Sequence, residues 1–438
     1  MNPTRRAILK WSGIALVSSP VVGILTLSIS GPGLLERQRS AARREGIPLT
    51  PEDLRPNPPI PNAQNAGPLL KELTRRYKVL PEKESHDWDA TYDQFGKNLD
   101  DPKARVAFQE SLVRYADLVQ LAEAATERPH CDLAYDWNQG MNLEFPEFAI
   151  VRRFGRLFTA RASLATDASS AWADVARCAK LGNLMGQTPC LIAALVSVAL
   201  HAIADKSYIA TLKRFGPSPQ ARETLTAFGP PPKPTVYFRG EVVSCTMTLE
   251  QLRAGKLKDM ADDEGGVFIG GAVWKNLSFV APVAVPFWEK QLLFFWREAF
   301  AKARDTERTG DYEGLGKWFD TRMKVWERDK INIPQNLLVL ILTPVFSQAT
   351  NKTHISTLAL RRLRESALAL LEEKAKTGAF PDSPKLSIDP FSSTKQPLRY
   401  RKESNGCILY SVGQDHTDDG GVEKREKNSE KLDLVVRL

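Results

Sequence analysis

Apolar residues recur at helical spacing over most of residues 64–350. Asp101 and Pro102 are typical of a helix start, because the aspartate caps free amides and proline suits the first helical position. Two further stripes, over 150–164 and 168–179, are separated only by Thr166-Asp167, which predicts antiparallel neighbouring helices. The stripe that follows Asp101 predicts one amphipathic helix and consists of Ala104, Phe108, Leu112, Tyr115, Val119 and Ala122.

The run from Cys190 to Ala204 is apolar on nearly all sides and too short to span a bilayer. We therefore predict a buried central helix, capped by Thr188-Pro189, with His201 as a hydrogen-bonded core residue. Ser218-Pro219 predicts the start of another helix by the same capping chemistry. The body is thus expected to be a helical bundle, tetratricopeptide-like in its small-residue texture but without the fixed repeat of a solenoid.

Residues 262–287 interrupt the helical pattern with glycines and prolines. No Gly-Lys-Ser/Thr follows the glycines, so a phosphate loop is not indicated. We expect this stretch to pack on the helical body as an apolar loop; if exposed, it would dock on a membrane or a partner. Pro286 is predicted to open the next helix, and Leu337–Leu342 to be a short buried stretch.

The N-terminus carries the strongest local signal of the sequence. Residues 11–30 are uncharged and apolar, and basic residues precede them, which predicts an uncleaved signal anchor within residues 1–35. A cleaved signal peptide is the alternative, and Arg5-Arg6 resembles a twin-arginine export signal. The proline-rich residues 36–63 are predicted to form an extended spacer, or else an arm packed on the body. We therefore expect a single-pass membrane protein whose soluble part is extracytoplasmic.

Charge and cysteine content narrow the partners and sites. The net charge is +8, of which +5 belongs to the first 45 residues, so the remainder is too weakly basic for a nucleic-acid-binding face. No two of the five cysteines have the spacing of a structural zinc site. Cys178 and Cys190 are the one pair close enough in sequence to suggest a disulfide, but buried inert thiols are the favoured interpretation.

The pattern changes after Gly378, which follows a helix with an apolar stripe that includes Leu363 and Leu370. Short strand-like runs then alternate with turn residues, as at Ile408 to Val412. We predict a small α+β module over residues 351–438, with two or three antiparallel strands behind one helix. The predicted fold class is therefore mainly α: a transmembrane helix, a helical body at 64–350 and this module.

The C-terminal part resembles type II secretion major pseudopilins. The resemblance covers about residues 352–438, and in that family the acidic loop binds calcium, so it implies Asp415, Asp418, Asp419 and Asp433 as candidate calcium ligands. Pseudopilins carry their prepilin site directly before such a helix, which this chain does not, so polymerisation is not implied. The matching features are the helix, Gly378-x-Phe380-Pro381, Asp389-Pro390-Phe391, Pro397-Leu398-x-Tyr400, Leu409-Tyr410-Ser411-Val412-Gly413, the acidic loop and Asp433.

The whole arrangement also resembles a group of bacterial proteins with one N-terminal membrane segment, a proline-rich spacer, a helical body and this ending. The stretches Arg128 to Cys131 and Asp136 to Gly140 fit that resemblance, which implies no activity.

A catalytic signature is not evident in the sequence. The densest acidic group near a loop is the first place to look for an acid/base pair, although solvated acids and helix caps explain it more simply. The leading hypothesis is an interaction or scaffold protein that binds another envelope protein. The alternatives are an envelope hydrolase that uses these acids and a secretion-system accessory protein. The acidic group consists of Asp132, Asp136, Glu144 and Glu147.

Overall fold

A computed structural model describes residues 33–81, 101–254, 271–328, 344–422, 424–425, 428–431 and 433–438. Helices dominate these residues, and the strands lie near the C-terminus. The helices are α1 (33–44), α2 (Gly67–Lys78), α3 (Pro102–Arg114), α4 (Ala116–Thr126), α5 (Pro146–Leu164), α6 (Ala168–Met185), α7 (Leu191–Phe215), α8 (Pro219–Thr226), α9 (Pro234–Arg253), α10 (Gly271–Thr309), α11 (Tyr312–Arg328) and α12 (Pro344–Thr377). The strands are β1 (Arg399–Glu403), β2 (Gly406–Ser411), β3 (Lys424–Arg425), β4 (Asn428–Lys431) and β5 (Leu434–Arg437).

The predicted helix after Asp101 is two helices. The Asp101 side chain accepts from the Lys103 amide, as its capping role requires. Tyr115, however, has φ −109° and ψ 29°, outside the helical region, and divides α3 from α4. The sequence missed this break because Tyr115 is buried and so continues the apolar stripe across it.

Helices α5, α6 and α7 form the centre of the body, as the sequence predicted for a helical bundle. They approach closely where α5 has Gly155: an added Cβ would lie 2.2 Å from Leu200 Cδ2 of α7. Cys190, rather than Thr188, is the N-cap residue of α7, and the Leu191 amide donates to Glu241 Oε1 of α9 at 2.8 Å. The tetratricopeptide-like character stays a prediction.

Helix α7 is the one described helix that is long and apolar enough to cross a membrane, judged by length and composition alone. It extends to Phe215, well past the apolar run, and packs against α5, α6, α9 and α12. A central helix of a globular body meets the same length and composition criteria, and we interpret α7 in this way.

The proline-rich region is not an extended spacer held away from the body. Leu35 and Ala42 of α1, together with Ile47 and Leu49, are buried in a core shared with α9, α10 and α11. Arg39 of α1 is ion-paired with the body, to Glu289 of α10 at 2.6 Å and to Glu250 of α9 at 3.0 Å. The structure has the alternative arrangement, an arm packed on the body. Within the described residues, the packed body therefore begins at α1.

Pro286 does not open a helix, because α10 begins at Gly271 and continues through it to Thr309. Proline at this interior position removes one helical hydrogen bond, a cost that the packing of the helix offsets. From Val285 onward α10 supplies buried residues, among them Trp288, Trp296 and Phe300. The predicted membrane segment at 11–30, residues 262–270 of the glycine-rich stretch, and Leu337–Leu342 lie outside the described residues. Residues 271–287 of that stretch belong to α10, so the prediction of a loop is wrong there.

The C-terminal sheet has the order β1-β2-β5 with antiparallel pairing, which confirms the predicted short antiparallel sheet. Gly378 ends α12 with φ +83°, the left-handed conformation that the sequence indicated for a C-cap glycine. Leu363 of α12, Leu409 of β2 and Val436 of β5 belong to the same hydrophobic core as α5, α6 and α7. The sheet is therefore packed onto the body through α12.

Candidate functional site: a groove between α7, α12 and strand β5

Three residues of the acidic group Asp132, Asp136, Glu144 and Glu147 make local structural hydrogen bonds. Glu147, 5% exposed, accepts from the Tyr135 hydroxyl at 2.6 Å. Asp136 caps a short 3-10 helix by accepting from the Asn138 amide, and Asp132 accepts from the Ala134 amide at 2.8 Å. Glu144 is exposed. These contacts match the capping and loop roles that the sequence favoured and do not support the hydrolase alternative.

The cysteines and His201 are core residues. All five cysteines are buried and free, so Cys178 and Cys190 are not bridged. Burial raises the pKa of the Cys131 thiol to about 12, which leaves it protonated and unreactive at neutral pH. His201 Nε2 lies 3.2 Å from the Ala179 carbonyl oxygen and 2.9 Å from Asn183 Oδ1, which confirms the expected hydrogen-bonded core histidine.

The four aspartates implied as calcium ligands are divided among local contacts. Asp418 accepts from the Tyr410 hydroxyl at 2.9 Å and pairs with Arg399 at 3.0 Å. Asp433 Oδ2 accepts from the Gly421 amide at 2.8 Å, and burial raises its pKa. Asp415 accepts from the Thr417 amide, and the nearby Asp419 carboxylate contributes, after burial, to the raised pKa of Asp433. Within the described ranges no group of three or more His, Cys, Asp or Glu side chains could hold a metal, and calcium binding stays a prediction.

Asp389 of the Asp-Pro-Phe motif makes several buried hydrogen bonds. This carboxylate is 1% exposed and accepts from the Ser411 hydroxyl at 2.6 Å, the Val412 amide at 2.9 Å and the Phe391 amide at 3.0 Å. It thereby joins the turn after α12 to the end of β2. Charge-assisted hydrogen bonds in a buried site are among the stronger ones, so we assign Asp389 a structural role.

Asp389→Asn is expected to lower the free energy of unfolding by about 2 kcal/mol, because the amide nitrogen of asparagine cannot accept a hydrogen bond from the Val412 or Ser411 donor. The measurement is urea unfolding of the full chain followed by circular dichroism. Asp382→Asn is the matched control, since Asp382 is 89% exposed and pairs with Lys402 at the surface. Equal midpoints for the two variants would contradict the structural role of Asp389.

A groove that combines apolar and charged side chains lies between α7, α12 and β5. Its volume is about 530 Å³. One face of α7 contributes Ile209 and Ala210, and α12 contributes Leu360 and Leu363. Residues 433–437 form the opposite wall. The α7 and β5 parts of the lining thus lie more than two hundred residues apart in sequence.

The two helices that line the groove are joined by a buried ion pair. Asp205 of α7, which lines the groove, accepts from Arg364 of α12, and both side chains are almost fully buried. The Arg364 guanidinium also stacks over Phe228, 3.8 Å from the ring centroid. Because an unpaired charge at this depth is costly, this pair holds α7 and α12 at one separation.

The wall formed by β5 presents an open strand edge. Leu438 and Cys407 exchange two backbone hydrogen bonds, at 3.0 and 2.9 Å. In an antiparallel pair, residues alternate between pointing their backbone N–H and C=O groups toward the neighbouring strand and away from it. The backbone groups of Val435 and Arg437 therefore point away from β2. Asp433 donates to the Val422 carbonyl at 3.1 Å, which covers the start of this edge. Within the described part of the chain, no strand pairs with β5 at Val435 and Arg437.

The groove is bordered by positive charge. Lys206 and Lys213 lie two turns apart on α7, both exposed, and Arg437 on β5 is exposed opposite them. The acidic residues of the lining are engaged, Asp205 by Arg364 and Asp433 by backbone amides. Arg437 donates to the Gly421 carbonyl at 3.1 Å and keeps its positive charge. The rim is therefore cationic, which favours an anionic ligand.

Sequence reasoning did not find this groove. Asp205, Lys206 and Lys213 follow the apolar run Cys190 to Ala204, and the sequence pattern did not show that the helix continues through them. The alternation of β5 was too short to distinguish a paired edge from an open one. The one available signal was the change at Lys206, where the all-apolar stretch of α7 gives way to charged residues.

Comparison of this chain with protein-family models, curated proteins and solved structures found no match.

Proposed function

We propose that this protein is a membrane-anchored, extracytoplasmic interaction protein that binds an extended acidic segment of another envelope protein in the groove between α7, α12 and β5. The observation that carries the proposal is the open edge of β5 at Val435 and Arg437, which faces an apolar floor. An extended peptide adds to such an edge through backbone hydrogen bonds, and neighbouring pockets select its side chains.

The rim lysines support the acidic character of the ligand. A peptide strand on β5 lies opposite α7, so its side chains on that side face Lys206 and Lys213. Alternate apolar side chains of the same peptide reach Ile209 and Leu360. Rim charges of this kind act mainly on selectivity and association rate, and the apolar floor supplies affinity.

The membrane part of the proposal is supported by the apolar sequence at 11–30 and by the short distance along the chain from that segment to α1.

The test is selection from a library of random displayed peptides with the full-length protein in detergent. We expect the selected peptides to alternate apolar residues with Asp or Glu, because the groove offers an apolar floor on one side and lysines on the other. In the variant Lys206→Glu/Lys213→Glu, binding of a selected peptide is expected to weaken by about tenfold, or about 1.4 kcal/mol. Affinity is measured by fluorescence anisotropy of the labelled peptide.

Lys103→Glu/Arg114→Glu is the matched control, since it makes the same change in net charge on exposed positions of α3, away from the groove. Val435→Pro removes an amide that points away from β2 and is expected to abolish binding while leaving the β2–β5 hydrogen bonds in place. Selection of peptides that bind the Val435→Pro variant equally well would refute strand addition at this edge.

A further inference from the structure

Helix α7 has an apolar stripe that the rest of the body covers only in part. Less than half of the most apolar 18-residue window of this helix is buried. Ile192, at the start of the stripe, is 48% exposed, and the other members are half-buried. Because they recur at intervals of three and four residues, they share one face of the helix. The stripe consists of Ile192, Leu195, Val196, Ala199, Ala202 and Ile203.

Helices α5 and α7 lie side by side and run parallel. Gly155 of α5 lies against Leu200 of α7, with no room for a side chain between them. Further along, Arg214 of α7 donates to the Ser163 carbonyl of α5 at 3.0 Å. Residue numbers therefore rise together along the two helices.

Helix α6 covers one side of this pair. His201 of α7 lies 2.9 Å from Asn183 of α6, and Arg161 of α5 donates to Asp174 of α6 at 2.6 Å. The stripe of α7 is on the opposite side from His201, and Arg152 is exposed on the opposite side of α5 from Arg161, because each residue turns a helix by about 100°. The exposed faces of α5 and α7 therefore open on the same side of the body.

The exposed charges of α5 on this side are basic. The acidic residues of α5 and α7 are Glu147 and Asp205, which are 5% and 4% exposed and are bonded within the body. Arg152 and Arg156 are exposed and form no salt bridge with the part of the chain that the structure describes. Burial, followed by the neighbouring Arg156, lowers the pKa of Arg153, as positive charges held close together do. The apolar stripe is thus bordered by arginines.

The chemistry of this face suits an anionic bilayer better than a protein partner. Its apolar residues are aliphatic and lie on a convex helix surface, whereas protein interfaces concentrate affinity in aromatic and arginine anchors that fill pockets. Aliphatic side chains enter the boundary between headgroups and acyl chains, and arginines beside them form paired hydrogen bonds with phosphate. Basic residues are also attracted by the negative surface potential of anionic lipid.

We propose that the exposed faces of α5 and α7 together form a binding surface for an anionic membrane. The stripe of α7 lies at the headgroup–acyl boundary, and Arg152 and Arg156 bind lipid phosphates. This surface belongs to the body itself and does not depend on the N-terminal segment. Bound in this way, the body has α6 on the side that faces away from the lipid.

The experiment places the photocrosslinking amino acid p-benzoylphenylalanine in the full chain, reconstituted into vesicles of phosphatidylcholine and phosphatidylglycerol. Probes at Ile192 and Ile203 report the two ends of the stripe. The control probe is at Val113, which is 79% exposed on α3. Helix α3 lies on the other side of α5, because its Gln109 lines a cavity together with Arg161. Adducts are identified by mass spectrometry.

We expect lipid adducts at Ile192 and Ile203 and none at Val113. A chain that is held in the vesicles but gives no lipid adduct at Ile192 would overturn the binding surface and leave the N-terminal anchoring intact. Adducts to a second copy of the chain, or in intact cells to another protein, in place of lipid would likewise overturn it.

The arginines are tested by the variant Arg152→Gln/Arg156→Gln. The yield of lipid adducts at Ile192 is expected to fall by about fivefold or more, because each basic residue at an anionic surface contributes roughly that factor. Lys103→Gln/Arg114→Gln is the matched control, since it removes the same charge from exposed positions of α3 and is expected to leave the yield unchanged. Equal yields in the two variants would overturn the proposal that the surface recognises anionic lipid.

Discussion

Arg364→Met is expected to lower the free energy of unfolding by about 4 kcal/mol, because it leaves the buried Asp205 carboxylate without its partner. Methionine keeps most of the side-chain volume over Phe228, so the loss reports the charge rather than a cavity. The measurement is the urea-unfolding midpoint of the full chain in detergent, and the groove between α7, α12 and β5 is expected to become less rigid in this variant.

Two companion variants separate the buried pair from a general effect of removing an arginine. Arg361→Met removes an exposed partner of Glu365 and is expected to cost less than about 0.5 kcal/mol. Asp205→Asn/Arg364→Met removes both charges and is expected to recover most of the loss, since no uncompensated charge remains. A double variant as unstable as Arg364→Met would show that packing, not charge, makes the pair important.

Stability is expected to fall steeply between pH 6.5 and pH 4 because two buried histidines must stay neutral in the folded state. Burial lowers the pKa of His201 to about 4, assisted by the nearby Arg364, and burial likewise lowers the pKa of His354 to about 4. In the unfolded chain a histidine titrates near 6.5, so below that pH the unfolded state binds more protons. The stabilisation is complete above pH 6.5, and about 3 kcal/mol per histidine is lost by pH 4.

His354→Phe tests this pH dependence. His354 stacks on Tyr312 with ring centroids 4.0 Å apart, and phenylalanine retains that stacking without a titrating nitrogen. Unfolding free energies of this variant and of the parent, measured at intervals from pH 8 to pH 4, are expected to diverge as the pH falls. Parallel curves over the whole range would rule out His354 as a source of the acid sensitivity.

The sequence predicted the features that depend on neighbouring residues. Asp101 and Ser218 cap their helices, Gly378 ends α12 in the left-handed region, and His201 is a bonded core residue, since each depends on local chemistry. Predictions were wrong where tertiary packing overrides a rule that depends only on neighbouring residues. Pro286 normally marks a helix start, but in α10 it lies within a helix held by aromatic packing on both α9 and α11.

The groove could not be predicted from patterns along the sequence. Its walls come from α7 and from the last residues of the chain, and nothing local to Val435 indicates that its amide faces a groove rather than another strand. The position of the arm was equally inaccessible, because proline density indicates an extended backbone but not where it packs. Sequence patterns likewise do not show that Arg39 pairs with Glu289, 250 residues further along the chain.

Helix α12 belongs to two parts of the molecule at once. It packs beside α11, where His354 stacks on Tyr312, and further along it supplies Arg364 to the ion pair with Asp205 and Leu363 to the core under the sheet. Truncation near residue 350 to isolate the C-terminal module would remove α7 and α11, against which α12 packs. The last ninety or so residues should therefore melt with the body in a single transition, and a graft of this ending onto another protein would lack the surface on which it folds.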